Sequence, residues 1–406
     1  ILIGKDTRKS GDMLEAALTA GLCSMGAKVI PLGVVPTPAV AYLTRYYKAD
    51  AGVVISASHN PCEYNGIKFF NSDGYKLSDG IENEIESYIL GEKAIEELPT
   101  HGKVGYVSAN HNAVEDYVAF AVSTIDCRLD GMKIAVDCAN GASYETAFKA
   151  LNKLGANVEA IHNTPDGVNI NHMCGSTHME SLQAYVTSIG ADIGIAFDGD
   201  ADRMLAVDEN GKLIDGDQIM AACAKFMRDN GTLKQNTLVA TVMSNLGLFM
   251  AGEKIGINIP RTKVGDRYVL EEMLAKGYNI GGEQSGHIIF LDHNTTGDGL
   301  VSALQFLSVL KKTGMKASEA ASIVTVMPQV LRNAVVKLEN KNSYMENEEI
   351  AAACKALEDE FAGEGRVLIR PSGTEPLVRV MIEGKDEEYI TKKAEELAEL
   401  IEKILG

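Results

Sequence analysis

The feature that most constrains the fold of this chain is a pattern that occurs three times: an apolar strand, a polar loop and a second apolar strand. The first strand of each pattern is predicted to end at Ile55, Phe197 or Ile280, after a run of alternating strands and helices. In the third pattern this run includes a strand predicted over residues 257–259. Such alternation predicts a parallel sheet with helices on both faces. Its repetition predicts three similar α/β domains, each with one polar loop at the carboxyl end of a strand, where α/β sheets place their binding sites.

The last part of the chain has a different pattern. Two predicted strands, 330–338 and 366–369, flank a helix, and a third strand follows the turn at 370–376. The C-terminal helix carries one apolar stripe among charged residues, which is typical of a helix packed against a core. We therefore predict the α/β class: three similar α/β domains with mixed, mostly parallel sheets, plus a smaller C-terminal α+β domain. The predicted domains comprise residues 1–112, 113–231, 232–322 and 323–406.

The composition argues against several classes of protein. At 406 residues the chain is too long for one hydrophobic core, which agrees with several domains. Its formal net charge of −18 argues against nucleic acid or an anionic membrane as a partner. No apolar run approaches the roughly 20 residues that span a bilayer. The seven cysteines are scattered and form no CxxC pair, so reduced thiols in the cytoplasm explain them better than disulfides or a zinc site.

Three aspartates, Asp198, Asp200 and Asp202, alternate directly after a predicted buried strand. Their carboxylates can converge on one point, where they would repel one another unless a cation or strong pairing compensates them. Because Mg²⁺ prefers carboxylate oxygens, we predict that these residues bind Mg²⁺. The alternatives are a solvated acidic loop and a calcium-binding loop. We reject the calcium loop because Arg203 stands where that loop needs glycine, and because strands flank it.

Ser58 lies in the loop of the first domain, in the stretch Ser-His-Asn-Pro between two predicted strands. A hydroxyl at this edge of an α/β sheet is well placed for chemistry, and Arg8 and Lys68 add positive charge beside it. The alternative is an ordinary turn, in which Ser58, His59 and Asn60 only satisfy backbone groups. No GxSxG motif surrounds Ser58, which argues against a nucleophile-elbow hydrolase. No GxGxxG motif follows a strand, so a dinucleotide site has no support.

Two further loops carry polar groups that suit a phosphorylated sugar. Glu283, Ser285 and His287 can hydrogen-bond a polyol, and His287 can carry a proton near neutral pH. In the last domain a turn combines guanidinium groups, hydroxyls and a glycine that lets backbone N–H groups face a phosphate. The candidate anion-binding residues are Arg370, Ser372, Gly373, Thr374 and Arg379. Taken alone, either loop is also compatible with an ordinary polar turn.

Taken together, these loops indicate one class of reaction. A serine that can act as a nucleophile, a carboxylate metal site, a set of polyol-binding residues and a phosphate-binding turn occur on four successive predicted domains. This combination predicts phosphoryl transfer to or from a phosphorylated sugar.

The motifs also resemble those of the α-D-phosphohexomutases over essentially the whole chain: GKDTRKSG, SASHNP, DGDADR, GEQSGH and RPSGTEPLVRVM. The resemblance is greatest to bacterial members that act on glucosamine phosphates. It implies four domains around a central cleft. Members of that family usually begin with a GTDG-type segment before GKDTR. Because this chain begins at Ile1 inside a predicted strand, we expect an N-terminal segment to be missing.

The resemblance implies a role for each candidate residue. Ser58 would be phosphorylated, and one of its phosphate oxygens would join the three aspartates as a Mg²⁺ ligand. Lys68 and His287 would be catalytic through proton transfer, and Arg8 would be catalytic near the phosphoserine. Glu283 would bind the sugar. The remaining assignments are sugar binding by Ser285, binding of the unreacting phosphate by the turn of the last domain, and support of the catalytic groups by His59, Asn60 and Arg203.

The implied reaction interconverts glucosamine 6-phosphate and glucosamine 1-phosphate through a phosphoserine and a glucosamine 1,6-bisphosphate intermediate. Its product would feed UDP-N-acetylglucosamine and cell-wall synthesis in the cytoplasm. By resemblance, Gln284 and residues 174–178 indicate the amino sugar. The nearest alternative is a phosphomannomutase/phosphoglucomutase, and more distant ones are a metal-dependent phosphosugar phosphatase and a silent sugar-phosphate-binding protein. The predicted partner is a small phosphosugar, and a homodimer is left open.

Overall fold

The computed structural model of the chain describes residues 1–95, 97–109, 112–344, 346–372 and 375–406. These residues form two compact units. Unit 1 comprises Ile1–Met243 and Ile255–Ile323, and unit 2 comprises Ser244–Lys254 and Val324–Gly406. In this part of the chain, three sheets lie in unit 1 and one lies in unit 2. No helix among the described residues is long and apolar enough to cross a lipid bilayer.

The first sheet of unit 1 has the order β2-β1-β3-β4, in which β1 is parallel to both neighbours and β4 is antiparallel to β3. Its strands are β1 (Leu2–Lys5), β2 (Ile30–Val34), β3 (Ala51–Ile55) and β4 (Ile67–Asn71). Its helices are α1 (Ser10–Ser24), α2 (Thr37–Tyr46), α3 (Asp79–Ile89) and α4 (Ala113–Ser123), with a 3₁₀ turn at His101–Lys103. Ile3, Val53 and Ile55 are buried against leucines of α1. The Ser58 loop therefore joins two strands of a packed sheet.

The second sheet has the order β6-β5-β7-β8-β9, in which β5, β6 and β7 are parallel and β8 is antiparallel to β7. Its strands are β5 (Lys133–Asp137), β6 (Asn157–Ile161), β7 (Ile193–Phe197), β8 (Met204–Asp208) and β9 (Leu213–Ile214). Its helices are α5 (Ser143–Lys153) and α6 (Glu180–Ile189), with a 3₁₀ turn at Gly175–Thr177. Every residue of β7 and β8 is buried, which explains why these strands are apolar except for the terminal Asp208. The aspartate loop joins these strands and is anchored in the core at both ends.

The third sheet has the order β11-β10-β12-β13. Its strands are β10 (Val239–Thr241), β11 (Arg261–Thr262), β12 (Ile280–Gly282) and β13 (Ile288–Phe290). The helices of this region in unit 1 are α7 (Gly216–Asp229), α9 (Asp266–Lys276), α10 (Gly299–Thr313) and α11 (Ala317–Ala321), with a 3₁₀ turn at Lys234–Asn236. The helix α8 (Leu246–Ile255) belongs to unit 2 except for its last residue. In each of the three sheets the first four strands occur in the spatial order 2-1-3-4. The predicted architectural repeat is therefore confirmed.

The strand that the sequence predicts over residues 257–259 is wrong. Asn258 forms only an isolated bridge with Thr237. The regular strand begins later, at Arg261. Pro260 lies between the two and has no N–H to donate, so the ladder is interrupted there although its carbonyl accepts from Ala240 at 3.1 Å.

Unit 2 contains an antiparallel sheet of order β14-β16-β15, which confirms the predicted α+β character of the last segment. Its strands are β14 (Gln329–Val335), β15 (Arg366–Pro371) and β16 (Leu377–Glu383). Its helices are α12 (Glu348–Phe361) and α13 (Glu387–Leu405), with a 3₁₀ turn at Leu338–Asn340. The predicted apolar stripe of α13 is buried, and Ile390, Leu397 and Ile401 belong to the core of the unit.

The carboxylate of Glu383, at the end of β16, is the centre of a buried polar network in unit 2. Arg366 Nη2 lies 2.6 Å from Glu383 Oε2. Asn245 Nδ2 donates to Oε1 at 3.2 Å, and the backbone N–H of Leu246 donates to Oε2 at 3.2 Å. Glu383 is fully buried, and a buried carboxylate is tolerated when it is paired in this way. One side chain therefore connects β15, β16 and the start of α8.

Glu383→Gln tests this network because it keeps the shape of the side chain and removes the charge that compensates Arg366. We expect the free energy of unfolding to fall by about 3–5 kcal/mol, measured by urea denaturation. The matched control is Glu395→Gln, which breaks an exposed pair with Arg332 at 3.0 Å. It should change stability by less than about 1 kcal/mol. Equal effects of the two variants would show that Glu383 is not a stabilising centre.

Candidate active site

Ser58 lies between β3 and β4, and its hydroxyl donates to Asp198 Oδ2 at 2.6 Å. Its φ is 52°, in the left-handed region that non-glycine residues rarely adopt. Such a conformation costs on the order of 1–3 kcal/mol and persists when surrounding contacts determine it. Here the backbone N–H of Ser58 donates to Ser56 Oγ at 3.0 Å. The loop therefore aims the predicted nucleophile at the aspartate loop.

Arg8 and Asn171 fix the Ser58 loop through its backbone carbonyls. The Arg8 guanidinium pairs with Asp6 and donates to the carbonyls of Ser58 at 3.2 Å and Asn60 at 2.5 Å. Asn171 Nδ2 donates to the same two carbonyls, at 2.8 and 2.9 Å. Arg8 is 2% exposed, and its guanidinium contacts the backbone of the Ser58 loop. These contacts are those of a residue that positions Ser58. Sequence reasoning missed Asn171, because no local motif marks a contact that spans 113 residues.

The carboxylates of Asp198, Asp200 and Asp202 meet as predicted. One oxygen from each lies within 4.8 Å of the others, and all three residues are buried. Oδ1 of Asp200 and Oδ1 of Asp202 are buried without a hydrogen-bond partner among the described residues. Buried carboxylate oxygens that lack donors are suited to a hard divalent cation. The donor set therefore fits a metal ion such as Mg²⁺.

Three other side chains contact the aspartates. Lys68 Nζ lies 2.7 Å from Asp200 Oδ2 and 3.7 Å from Asp202 Oδ2. Thr37 Oγ1, which sequence reasoning did not identify, donates to Asp200 Oδ2 at 2.6 Å. Arg203 Nε lies 3.8 Å from Asp202 Oδ1. Lys68 and Arg203 therefore lie beside the three aspartates. The structure thus brings these predicted site residues together.

The surroundings shift the pKa values of Asp198 and Asp202 in opposite directions. Burial and the charges of Asp202 and Asp200 raise the pKa of Asp198 well above its ordinary value. Burial also disfavours the charge of Asp202, but Lys68 and His287 outweigh it and hold the pKa of Asp202 well below the ordinary range. Burial opposes the charge of Lys68, yet Asp200 and Asp202 outweigh it and raise the pKa of that ammonium. The site therefore holds more carboxylate than its cations compensate.

His287 is buried beside the metal-binding loop. Its Nε2 accepts the backbone N–H of Gly297 at 3.2 Å, so the proton of the neutral ring lies on Nδ1, which is 3.6 Å from Asp202 Oδ2. Nε2 is also 3.6 Å from Asp266 Oδ2, a carboxylate that sequence reasoning missed. A Cβ on Gly297 would meet the imidazole at 2.4 Å, so only glycine admits the ring. His287 therefore contacts a metal-binding aspartate.

In the loop after β12, Glu283 and Gln284 form hydrogen bonds within the protein, which the sequence does not indicate. Glu283 Oε1 accepts the backbone N–H of Gly265 at 3.0 Å. Gln284 Nε2 donates to Asp215 Oδ2 at 3.0 Å, and Asp215 also caps the N-terminus of α7. Ser285 is exposed. In the other segment that indicated the sugar, Cys174 and Gly175 are buried, whereas Thr177 is exposed.

His59 lies beside the cations of the site. Burial, together with the positive charge of Arg203, lowers the pKa of His59. The side chain is therefore more readily neutral than an ordinary surface histidine. With Arg8, Ser58, Lys68, the three aspartates, Arg203 and His287, it completes the set of predicted residues that unit 1 brings together at this edge.

In unit 2, the predicted phosphate-binding arginines are direct neighbours. Arg370 of β15 pairs in register with Arg379 of β16, so their side chains leave the same face of the sheet. Burial and the charge of Arg379 lower the pKa of Arg370. Ser372 is buried, with its hydroxyl 3.4 Å from Glu375 Oε2. Two adjacent guanidinium groups favour an anion. The predicted residues Gly373 and Thr374 lie outside the described residues.

Comparison with known protein families gives consistent matches along the chain. The matched family models are those of the phosphoglucomutase/phosphomannomutase alpha/beta/alpha domains I, II and III and of the phosphoglucomutase/phosphomannomutase C-terminal domain. They cover residues 1–96, 114–211, 215–327 and 334–400, respectively.

The chain is also similar to individual proteins. It is 63% identical to the phosphoglucosamine mutase of Ruminiclostridium cellulolyticum over 402 residues, which are 99% of this chain and 90% of that protein. It is 63% identical over 406 residues to the phosphoglucosamine mutase of Acetivibrio thermocellus, covering 100% of this chain and 90% of the relative. A solved phosphoglucomutase/phosphomannomutase family protein from Burkholderia thailandensis superposes with a TM-score of 0.80 at 23% identity, covering 98% of this chain and 88% of that one.

The metal site yields a direct prediction about binding. Asp200→Asn removes one carboxylate charge from the three, so we expect the affinity for Mg²⁺ to fall by about 10- to 100-fold, measured by isothermal titration calorimetry. The matched control is Glu159→Gln, an exposed carboxylate on β6 of the same sheet, which should leave the affinity unchanged. Wild-type affinity in Asp200→Asn would remove this residue from the metal site.

Proposed function

The chain belongs to the phosphoglucomutase/phosphomannomutase family, and from this premise we propose that it is a phosphosugar mutase that interconverts glucosamine 6-phosphate and glucosamine 1-phosphate. The domain models that it matches cover most of its length. Its relatives at 63% identity are phosphoglucosamine mutases. We further propose that it acts in the cytoplasm and that its product supplies amino-sugar nucleotide synthesis for the cell wall.

The observation that carries this proposal is the contact between Ser58 and the aspartate loop. The Ser58 hydroxyl donates to Asp198 at 2.6 Å, and the Lys68 ammonium lies 2.7 Å from Asp200. A phosphoryl group on Ser58 would therefore be attached next to a cationic side chain and three metal-binding carboxylates. Phosphoryl transfer depends mainly on positioning and on stabilisation of negative charge, and this arrangement supplies both.

In the proposed reaction phosphorylated Ser58 transfers its phosphoryl group to the free hydroxyl of the sugar phosphate. The bond between phosphorus and the serine oxygen breaks, a bond between phosphorus and the sugar oxygen forms, and the product is glucosamine 1,6-bisphosphate. Ser58 then accepts the other phosphate after the intermediate has turned. We propose Lys68 and His287 as the side chains that serve proton transfer. The Lys68 ammonium, which Asp200 and Asp202 keep protonated, would donate a proton to the departing oxygen, and His287 would accept the proton of the attacking hydroxyl.

Several residues keep the catalytic groups in place during both transfers. Arg8 and Asn171 fix the Ser58 loop through two shared carbonyls. Thr37 fixes Asp200, and the Asp202 carboxylate lies beside His287. Mg²⁺, when bound by the three aspartates, supplies the positive charge that offsets the charge of the transferring phosphoryl group.

We propose that unit 2 binds the phosphate that does not react. Arg370 and Arg379 are paired across two strands with their side chains on one face, and Ser372 adds a hydroxyl. Gly373 and Thr374 are part of the same proposal through the resemblance of their motif. A clamp of guanidinium groups recognises a phosphate without regard to which sugar carbon carries it, as a reaction with two phosphate positions requires.

The preference for glucosamine rests on the relatives. Gln284, which indicated it in the sequence, has its Nε2 donating to Asp215, and Cys174 is buried, so neither of these groups carries the proposal. Glu283 is the acceptor that we propose for the amino group, with Ser285 as a further sugar-binding residue. The backbone N–H of Gly265 orients the Glu283 carboxylate.

Ser58→Ala tests the proposed nucleophile. We expect mutase turnover to be lost while the fold is retained, because a hydroxyl removed from a loop changes little packing. A coupled assay of glucosamine 1-phosphate formation and intact-protein mass measure turnover and phosphorylation. Ser123→Ala, which removes an exposed hydroxyl at the end of α4, should behave as wild type. Near-normal turnover in Ser58→Ala would exclude Ser58 as the nucleophile.

The same assay separates the proposed mutase from a phosphosugar phosphatase. A mutase moves the phosphoryl group between two hydroxyls of the sugar and releases no inorganic phosphate. Stoichiometric release of phosphate from glucosamine 6-phosphate, with no glucosamine 1-phosphate formed, would replace the proposal with hydrolysis.

Substrate preference is tested by side-by-side kinetics. We expect kcat/KM for glucosamine 6-phosphate to exceed that for glucose 6-phosphate and mannose 6-phosphate by roughly 5- to 150-fold, which corresponds to one polar contact worth about 1–3 kcal/mol. Glu283→Gln should narrow this difference because it removes the charge that faces the amino group. A wild-type preference for either neutral sugar would assign the chain to phosphomannomutase/phosphoglucomutase activity.

A further inference from the structure

A second cluster of metal-ligating side chains lies at the carboxyl edge of the second sheet, apart from the three aspartates. It consists of Asp137 at the end of β5, His162 directly after β6, and Cys174 before the 3₁₀ turn at Gly175–Thr177. One ligating atom from each lies within 4.8 Å of the others. His162 Nδ1 is 2.8 Å from Asp137 Oδ2. Nothing in the proposed mutase reaction uses these three side chains.

We propose that Asp137, His162 and Cys174 form a second cation site, which binds a borderline-soft divalent cation of the Zn²⁺ type. Its donors are one sulfur, one nitrogen and one oxygen. Thiolate and imidazole ligands select Zn²⁺ and its neighbours, whereas Mg²⁺ prefers a set of oxygens alone. The two sites of unit 1 therefore differ in the class of cation that they take.

The surrounding contacts orient the proposed ligands before a cation arrives. Asp137 Oδ1 accepts the backbone N–H of Ala139 at 2.8 Å, which leaves Oδ2 turned towards His162. The backbone N–H of Asn140 donates to the carbonyl of His162 at 2.6 Å. Asn140 Nδ2 lies 4.0 Å from Cys174 Sγ. Such outer contacts are what fixes ligand geometry in metal sites.

A cation can reach this cluster from solvent. Asp137 and Cys174 are completely buried, but the side chain of His162 is 31% exposed, so the cluster opens towards solvent at the imidazole. A water molecule would complete four ligands. As the metal bonds form, the Cys174 thiol and His162 Nδ1 release their protons to solvent, and the imidazole keeps the proton on Nε2.

The position of the cluster indicates what the cation would do. The carbonyl of Asn140 accepts from Thr7 Oγ1 at 2.6 Å. Asn171, three residues before Cys174, holds the Ser58 loop and bonds Ala139 through its backbone N–H at 2.9 Å. A cation would therefore fasten together segments that support the Ser58 loop, without touching the substrate. Its expected effect is on the stability of unit 1.

Cobalt(II) is the probe of choice, because its bond to a thiolate gives an absorption band in the near ultraviolet that Mg²⁺ sites lack. The titration uses reduced wild-type protein in excess Mg²⁺, which keeps the aspartates occupied. We expect a sulfur-to-cobalt band that saturates at one ion per chain, that Zn²⁺ abolishes by competition, and that is accompanied by a higher melting temperature. Cys174→Ser should abolish the band.

His162→Gln is a second variant, and it should disturb folding less than Cys174→Ser because the imidazole is partly exposed. It should weaken cobalt binding by at least about tenfold. Cys23→Ser, a half-buried thiol on α1, is the matched control and should leave the titration unchanged. No band in the wild type, an unchanged band in both ligand variants, or equal loss in Cys23→Ser would each overturn the proposal. Since no arm measures mutase activity, the result is independent of the proposed function.

Discussion

The carboxylates of Asp198, Asp200 and Asp202 lie at the buried end of β7, and the rest of the catalytic edge depends on how their charge is compensated. Two unit charges 4 Å apart near a protein surface interact by about 4 kcal/mol. Lys68 and Arg203 offset part of the repulsion. Burial, together with the remaining repulsion from Asp202 and Asp200, raises the pKa of Asp198, which accepts a hydrogen bond from the Ser58 hydroxyl. A divalent cation would relieve the same imbalance, so Ser58, Lys68 and the three aspartates form one electrostatic system.

This system works only if its loops are held accurately, and the structure achieves this through contacts between distant segments. Arg8 and Asn171 approach the carbonyls of Ser58 and Asn60 from two different sheets. Thr37, at the start of α2, fixes Asp200 across 163 residues. The first two sheets of unit 1 are thereby joined at the point where chemistry is proposed. Loss of one such contact would displace the nucleophile relative to the carboxylates, without removing any catalytic group.

The sequence was sufficient for features encoded locally. Uninterrupted apolar strands and their repeated order predicted the three sheets, and the close spacing of Asp198 to Asp202 predicted their convergence. Pro260 interrupts the ladder of the third sheet, so β11 begins later than the apolar pattern at 257–259 predicts. Asn171, Thr37 and the cluster around Cys174 could not be predicted, because their partners are remote in sequence and carry no shared motif. By resemblance Gln284 indicates the amino sugar, but a polar loop does not show from the sequence that its amide donates to Asp215.

The left-handed backbone of Ser58 also limits which amino acids can occupy that position during evolution. Threonine carries the same hydroxyl, but a β-branched side chain at a φ of 52° is strongly disfavoured. The loop would have to change shape to accept it, and the hydroxyl would then no longer point at Asp198. The backbone conformation alone therefore favours serine over threonine at this position. Replacement of Ser58 by threonine would therefore require a change in the contacts that determine the turn.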